Sequence, residues 1–442
     1  MSIFNLKDFL KQGLASFFVQ FLGQLCGFLT SILLANYLSP SEFGNFYFCF
    51  SLVLVIALIC QVGTPLFLTK QVSVLKSKQK LSFILNKVVY SFCLTLIAIT
   101  FIISIGYLLF KNDDIVFVNE YRSFFNFICI AIPLTVYINF VASIYRGFGY
   151  VIYAFFIDGC LGIMLTLFST TLFTIIFGST IDDLSIFKLF TFSLFLTLFI
   201  ALTPLIFIKN KFKYLHFDLN EILKKAGVWN RSIKYLAAIS IVAVLNDHLS
   251  ILTLGALSTS TQVGFFKVAM QLSLMLVFGL MAINAIIVPR IASLYSENKI
   301  RELQILLTFS VRLSFIFTLL VFIFILLFGQ MFISYFFGEI YLNAYSPLLI
   351  LCIGQIVNVC FGPVWWITNM TGREAYTSKV LSISLLINFV LSIILAPKYG
   401  SIGVAISAAI CLIFCNITLY FFILKELKLN SSIFYVLNKG KT

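Results

Sequence analysis

Long apolar runs separated by short polar connections extend along almost the whole chain. A helix that crosses a lipid bilayer needs roughly 20 consecutive, mostly apolar residues. Twelve runs come close to that length, so the pattern predicts twelve membrane-spanning helices. Their approximate limits are 13–36, 43–64, 86–110, 121–145, 151–177, 187–208, 233–256, 262–288, 309–333, 343–369, 377–396 and 402–424.

The two halves of the chain carry a similar segment, displaced by half the chain length. Without a gap, Gly44 aligns with Gly264 and Phe46 with Phe266. This displacement predicts a duplication into two parallel six-span repeats. The Ser39–Glu42 and Thr259–Gln262 pairs both have the spacing of a helix capping box, so both segments are predicted to begin a helix after a tight hairpin.

The predicted fold class is therefore all-α, a polytopic membrane protein with two six-helix lobes around a central cavity. Residues 1–208 are predicted to form the N-lobe with spans 1–6. Residues 209–232 are predicted to form a cytoplasmic linker, in which 217–225 has the pattern of an amphipathic helix. Residues 233–442 are predicted to form the C-lobe with spans 7–12 and a short cytoplasmic tail.

Composition supports a membrane protein and fixes an orientation. The chain is 61% hydrophobic and 10% charged, whereas soluble domains are about 45–50% apolar and about 25% charged. Nearly all of its lysines and arginines fall in alternate connections and at both ends, which predicts cytoplasmic termini. The net charge of +14 then needs no nucleic-acid partner, because attraction to anionic lipid accounts for it.

The reactive residue types do not form a catalytic pattern. The ten cysteines all lie within predicted spans, where we expect small apolar packing groups and no disulfide framework. The chain has two histidines and no recognisable nucleotide-binding, hydrolase or metal-ligand motif. We therefore expect no enzyme activity, no metal and no cofactor.

Polar side chains recur at helical spacing inside several spans, where hydrocarbon would penalise them. Equivalent stripes on spans 1 and 7 favour a polar cavity between the halves. The alternative for any one residue is a hydrogen bond that joins two helices. The candidate cavity-lining residues are Gln20, Gln24, Asn246, Gln271, Gln355 and Asn358.

Ionisable residues within or beside the spans are the sharpest candidates. Asp158 is expected to pair with Arg146 across a short turn, and Asp247 to pair with Lys267 or with other neighbours. Asp158, Asp247 and His248 are also candidates for ion coupling. The remaining cationic candidates are Lys70 and Arg290, and for Arg290 snorkelling to the membrane interface is the simpler explanation.

Three segments in order resemble one family of membrane proteins. The first runs from Gly13 to Gly44, the second from Leu245 to Ala269, and the third from Asn388 to Ala405. They are similar to the Wzx-type polysaccharide-biosynthesis flippases of the multidrug/oligosaccharidyl-lipid/polysaccharide exporter superfamily. The resemblance covers essentially the whole chain.

The resemblance implies a flippase that moves undecaprenyl-diphosphate-linked oligosaccharide from the inner to the outer leaflet of the bacterial cytoplasmic membrane, by alternating access. The product would be O-antigen or a capsule-type polymer, with membrane lipids, a polymerase and a chain-length regulator as implied partners. Candidate diphosphate ligands are Arg146, Lys267, Arg290 and Lys70. A cation-coupled multidrug exporter of the same fold and a lipid II-type flippase are the alternatives.

Overall fold

A computed structural model describes residues 6–77, 84–110, 121–177, 182–208 and 219–435 of the protein. All secondary structure within those ranges is helical. Ten helices in this part of the chain are long and apolar enough to cross a membrane. The predicted all-α membrane fold is confirmed.

Within the described ranges, the N-terminal half contributes eight α-helices. They are α1 (Leu6–Tyr37), α2 (Pro40–Gln61), α3 (Thr64–Ser77), α4 (Ile84–Phe110), α5 (Arg122–Phe148), α6 (Val151–Phe156), α7 (Gly162–Phe177) and α8 (Asp183–Ile208). A π-helical turn, Ile157–Leu161, joins α6 to α7. Span 5 is therefore one continuous crossing with a widened turn in it.

Residues 219–435 of the C-terminal half contribute seven α-helices. They are α9 (Leu219–Leu257), α10 (Ser260–Ser273), α11 (Phe278–Ser296), α12 (Ile300–Phe336), α13 (Tyr345–Phe361), α14 (Val364–Met370) and α15 (Glu374–Leu427). Short 3₁₀ helices, Leu274–Val277 and Glu339–Ala344, precede α11 and α13.

The predicted spans correspond to these helices, except that two spans share one helix and one span is only part of a longer helix. Spans 11 and 12 share α15, whose 54 residues bend at Gly400. Span 7 is the C-terminal part of α9, where the apolar stretch Val244–Leu257 is shorter than a full crossing. With these allowances, the twelve predicted runs all fall in helices of the described part of the chain.

The predicted linker helix is continuous with span 7 over the described residues. Helix α9 begins at Leu219 and contains no proline, so no residue in it removes a helical hydrogen bond as proline would. Residues 217 and 218 of the predicted amphipathic segment lie outside the described ranges. The lobe boundaries at 208 and 233 stay a prediction.

The chain packs as two compact units. The C unit comprises Met1–Phe17, Ser39–Gly44 and Leu249–Thr442. The N unit comprises Phe18–Leu38 and Asn45–His248. Helix α9 thus contributes its first part to the N unit and its last residues to the C unit.

Within the C unit, Gln262 caps the second half of α15. Gly400 has φ 54° and ψ −130°, a conformation that L side chains rarely adopt, and it leaves the next turn with free donors. The Gln262 Oε1 atom accepts hydrogen bonds from the Ser401 backbone N at 2.9 Å and from its Oγ at 2.7 Å. The hairpin between spans 7 and 8 is thereby tied to that between spans 11 and 12.

One of the two predicted capping boxes is therefore wrong. Ser39 and Glu42 form the predicted box, with Glu42 Oε2 accepting from the Ser39 N and Oγ atoms at 2.9 and 2.7 Å. Thr259 makes no side-chain cap, because the amide of Gln262 is directed instead to Ser401. At the α15 bend, the Ser401 N–H and hydroxyl both donate to the Gln262 side chain.

The two duplicated segments touch each other within the C unit. A β-carbon on Gly44 would overlap the carbonyl oxygen of Ser260, and one on Gly264 would lie 2.6 Å from the carbonyl oxygen of Pro40. Backbone meets backbone at this crossing, so glycine is required at both positions. We call these four residues the glycine crossing.

The segment after α15 folds back onto the C unit. Gln304 and Asn430 exchange two hydrogen bonds, 2.6 and 2.8 Å long, between the Gln304 amide and the Asn430 backbone. The Ile433 N–H donates to the Cys360 carbonyl oxygen at 2.9 Å. Leu429 is fully buried in the hydrophobic core of this unit, so the described part of the tail is an integral part of the fold.

Candidate functional site

The predicted site residues divide between the two units, and each set is described within its own unit. In the N unit lie Gln20, Gln24, Lys70, Arg146, Asp158, Asn246, Asp247 and His248. In the C unit lie Lys267, Gln271, Arg290, Gln355 and Asn358.

Arg146 and Asp158 form the predicted ion pair. The Arg146 Nη2 atom lies 2.6 Å from Asp158 Oδ2, and the two side chains are 28% and 12% exposed. Arg146 is in the last turn of α5, and Asp158 lies in the π-helical turn. Such turns are frequent at functional sites, and here the turn presents a carboxylate to the guanidinium.

The guanidinium of Arg146 retains hydrogen-bonding capacity beyond this pair. Its Nε atom is buried and has no hydrogen-bond partner among the described residues. The guanidinium also lies 5.8 Å from the centroid of the Phe155 ring, within cation–π range. Because a guanidinium has five donors in a planar fork, the donors that Asp158 does not use can donate to a phosphate oxygen.

The predicted polar stripe on span 1 separates into two parts. Gln20 and Gln24 are exposed on α1. Two turns beyond Gln24, Ser31 is buried, and its Oγ lies 2.6 Å from the Tyr47 hydroxyl oxygen. The stripe therefore joins α1 to α2 at one end and presents amides at the other.

On span 7 of the N unit, the three consecutive polar residues have different surroundings. Asn246 Nδ2 donates to the Val242 carbonyl oxygen at 2.9 Å. Asp247 is exposed. His248 Nδ1 lies 3.2 Å from Ser51 Oγ, so a partner for the histidine comes from α2.

In the C unit, Lys267 and Gln271 lie one turn apart on α10 and are partly buried. Gln355 and Asn358 lie on α13, where Asn358 Nδ2 donates to Gln355 Oε1 at 3.1 Å. Each pair therefore presents two polar groups together from one helix.

Other polar residues of the C unit serve helix packing. Asn388 Nδ2 lies 3.4 Å from Ser250 Oγ, and Ser392 Oγ donates to Asn388 Oδ1 at 3.1 Å. All three side chains are buried. For Ser250 the explanation that polar residues join helices therefore applies.

Lys70 and Arg290 are exposed on α3 and α11. Arg146, in contrast, is held by its ion pair with Asp158. Within the described ranges, no group of three or more His, Cys, Asp or Glu residues is arranged to hold a metal ion.

The sequence reasoning missed the partners that α2 supplies. Tyr47 and Ser51 contact Ser31 and His248, respectively. These two residues are four positions apart and therefore share a helix face. Their four-residue spacing in the sequence could have indicated that α2 presents a polar face to neighbouring helices.

The chain matches the family described as polysaccharide biosynthesis protein over residues 9–295. The chain belongs to this family. This is the family of polysaccharide-biosynthesis flippases that the three sequence segments resemble, so the predicted family relationship is confirmed.

Known relatives and solved structures agree with this assignment. Agl15 of Haloferax volcanii, a probable low-salt glycan biosynthesis flippase, is 24% identical over 180 residues, which are 40% of this chain and 38% of that protein. A multidrug-resistance MATE transporter of the MOP superfamily, in an inward-facing conformation, superimposes with a TM-score of 0.69 at 16% identity, over 93% of this chain and 97% of that one. The lipid II flippase MurJ gives a TM-score of 0.62 at 17% identity, over 93% and 86%.

These matches establish a multi-pass membrane protein with the fold of MOP-superfamily transporters and flippases. The structural likenesses are below 25% identity and show the fold alone. The substrate and the roles of individual residues are therefore argued from the chain itself.

Proposed function

We propose that this protein flips undecaprenyl-diphosphate-linked oligosaccharide units from the inner to the outer leaflet of a bacterial cytoplasmic membrane by alternating access. The units would serve the assembly of an O-antigen or capsule-type polysaccharide. Both termini are cytoplasmic in this proposal, and the polymerase and the chain-length regulator are its partners. The family assignment and the transporter fold support it.

The substrate poses a physical problem that the polar residues address. A diphosphate cannot enter hydrocarbon without losing its hydration, which costs several kcal/mol or far more per ion. Polar and cationic groups facing water replace part of that hydration. The polyprenyl tail has no such requirement and can remain in the lipid.

The observation that carries the proposal is the arrangement of Arg146. Its guanidinium is partly exposed and is held by Asp158, and its Nε atom has no hydrogen-bond partner within the part of the chain that the structure describes. Arginine is suited to phosphate oxygens because its donors form a rigid fork. We assign Arg146 and Lys267 to the diphosphate, with Arg290 and Lys70 as further cationic contacts.

The amide side chains are assigned to the sugars. Gln20, Gln24 and Asn246 in the N unit, and Gln271, Gln355 and Asn358 in the C unit, can donate to and accept from hydroxyl groups. Asp247 with His248, and Asp158, are the candidates for coupling transport to an ion gradient.

The proposal is tested by replacing Arg146 in a strain whose own copy of the gene is deleted. We expect Arg146→Ala to abolish surface polymer and Arg146→Lys to restore only part of it, because lysine lacks the planar fork. Arg301→Ala, at an exposed arginine of α12, is the matched control and should leave polymer unchanged. Normal polymer from Arg146→Ala at normal membrane abundance would overturn the assignment.

Lys267 provides a second test in the other unit. Lys267→Ala, with expression intact, should also abolish surface polymer if this ammonium contacts the diphosphate. Gln262→Glu lies on the same helix and keeps the capping oxygen of Gln262, so it controls for general disturbance of α10. Full polymer from Lys267→Ala would remove Lys267 from the site.

The multidrug-exporter alternative depended on a carboxylate that could hold a cationic drug. In the N-terminal half the candidate was Asp158, and its Oδ2 atom is bonded to Arg146. A carboxylate already neutralised by a guanidinium binds a second cation poorly. Loss of polymer without drug hypersensitivity in the deletion strain supports the flippase, whereas hypersensitivity with normal polymer supports the exporter. A lipid II-type flippase predicts loss of cell-wall growth instead.

A further inference from the structure

The glycine crossing joins two helix starts at their backbones. Gly44 approaches the Ser260 carbonyl, and Gly264 approaches the Pro40 carbonyl. Helix α2 begins at Pro40 and α10 at Ser260. Both hairpins lie on the predicted outer side of the membrane, since neither contains lysine or arginine.

The first duplicated segment is short and is bounded on both sides by chain of the other unit. Ser39–Gly44 packs in the C unit, whereas Leu38 and Asn45 belong to the N unit. Within the C unit, the contact between Pro40–Gly44 and Ser260–Gly264 is therefore made by six residues of the first segment.

An aromatic side chain from a third hairpin covers the crossing. Tyr341 lies in the 3₁₀ helix between α12 and α13 and is 1% exposed. Its ring centroid is 5.6 Å from that of Phe43 and 6.2 Å from that of Phe265, with both pairs edge to face. Tyr341 thus touches both duplicated segments at once. Phe337, at the end of α12, adds a further edge contact at 6.4 Å.

Edge-to-face ring pairs stabilise a contact beyond the burial of their area. They are also lost together, because all three pairs share one tyrosine. The Tyr341 side chain therefore contributes to the stability of the contact between the starts of α2 and α10.

We propose that the glycine crossing is the outer seal of the transport path and that Tyr341 is its latch. The seal opens when Pro40–Gly44 withdraws from Ser260–Gly264, and the loss of the Phe43–Tyr341 and Phe265–Tyr341 contacts resists that step. This proposal deepens the proposed function. It depends on that function for the identity of the cargo, whereas the opening of the seal does not depend on it.

The test measures access from outside the cell independently of polymer. A cysteine is introduced by Gln271→Cys on α10, two turns beyond Gly264, and its reaction with a membrane-impermeant thiol reagent is timed on intact cells. The same protein without this cysteine gives the background of the ten native cysteines. Tyr341→Ala, Tyr341→Phe, Gly264→Val and Gly264→Ala are each combined with the reporter.

We expect Tyr341→Ala and Gly264→Val to raise the labelling rate roughly tenfold, which corresponds to a shift of about 1.4 kcal/mol toward the open state. Tyr341→Phe retains the ring contacts and should leave the rate near that of the parent. Gly264→Ala is the smaller change if Gly264→Val fails to accumulate. Tyr335→Ala controls for aromatic loss, because Tyr335 is 78% exposed on α12.

An unchanged labelling rate in Tyr341→Ala, at normal membrane abundance, would overturn the latch. An unchanged rate in both glycine variants would overturn the seal. Arg146→Ala separates this proposal from the proposed function: normal polymer in Arg146→Ala together with faster labelling in Tyr341→Ala would leave the seal standing and remove the diphosphate assignment.

Discussion

At the residue scale, equivalent positions serve different purposes in the two predicted repeats. Glu42 and its counterpart Gln262 occupy the same position after a hairpin. Glu42 caps its own helix, whereas Gln262 caps the turn that follows Gly400. The sequence spacing is equal in both places, but Ser401 supplies two donors beside Gln262.

This difference makes Gln262 a residue whose removal can be measured. Gln262→Ala leaves the Ser401 N–H and hydroxyl without their acceptor, so we expect a loss of about 1–3 kcal/mol. Thermal unfolding of the detergent-purified protein measures it. Gln262→Glu should retain most of the stability because it keeps the oxygen. Thr259→Ala should change stability by less than about 0.5 kcal/mol, and a larger loss would restore the second capping box.

The candidate site illustrates how far residue identity can be interpreted without coordinates. The Arg146–Asp158 pair was predictable because a twelve-residue separation across a short turn brings a cation and an anion to one end of two helices. The Ser51 partner of His248 was not predictable, because it lies 197 residues away on α2. Contacts between distant helices depend on packing, which hydropathy does not encode.

At the element scale, the positions of the apolar helices were predictable and their continuity was not. Length and apolar content determine whether a run can span a bilayer, and the twelve runs are all helical. The same residues are compatible with one bent helix or two, so α15 and α9 were interpreted as shorter pieces. Helix α3 was missed because it directly follows α2, at a bend where Val62 and Gly63 both have positive φ.

Helix α9 offers a test of how its first part is held. Trp229 is 6% exposed and packs with Phe67 and Ile233. Its ring also lies 5.3 Å from that of Tyr90 and is covered by the Lys87 ammonium. Removing a buried tryptophan typically costs about 3–5 kcal/mol.

We therefore expect Trp229→Ala to lower the unfolding temperature and to speed proteolysis within residues 209–218. Trp366→Ala is the matched control, because Trp366 is 36% exposed on α14, and it should change both measurements little. Equal losses from the two variants would show that Trp229 does not anchor α9.

The segment after α15 gives a second prediction at this scale. Truncation after Leu427 removes the buried Leu429 and the two hydrogen bonds between Gln304 and Asn430. From one buried leucine and two hydrogen bonds we expect a loss of about 3–5 kcal/mol. Truncation after Tyr435 keeps these contacts and should unfold at the temperature of the full chain. The measurement is the thermal unfolding of the full chain and of the two truncated proteins. Similar stability after both truncations would contradict the conclusion that the tail is part of the fold.

At the scale of the whole molecule, charge distribution predicts an orientation. Lysine and arginine concentrate in alternate connections, and the rule for such charges places those connections in the cytoplasm. An alkaline phosphatase reporter should be active when inserted within 111–120 and inactive within 209–218 or at the C-terminus. A fluorescent protein that folds only in the cytoplasm should give the opposite pattern. Active phosphatase at the C-terminus would reverse the assigned topology.

The glycine crossing has a symmetry that bears on how the protein arose. In the alignment of the halves, Pro40 corresponds to Ser260 and Gly44 to Gly264. Gly44 contacts the Ser260 carbonyl, and Gly264 contacts the Pro40 carbonyl. The glycine of each segment therefore contacts the first helical residue of the other segment. This reciprocity defines an isologous interface, the kind that pairs two identical subunits about a twofold axis. Two copies of a single six-span half could make the same contact with one glycine each, and a gene fusion would preserve it within one chain.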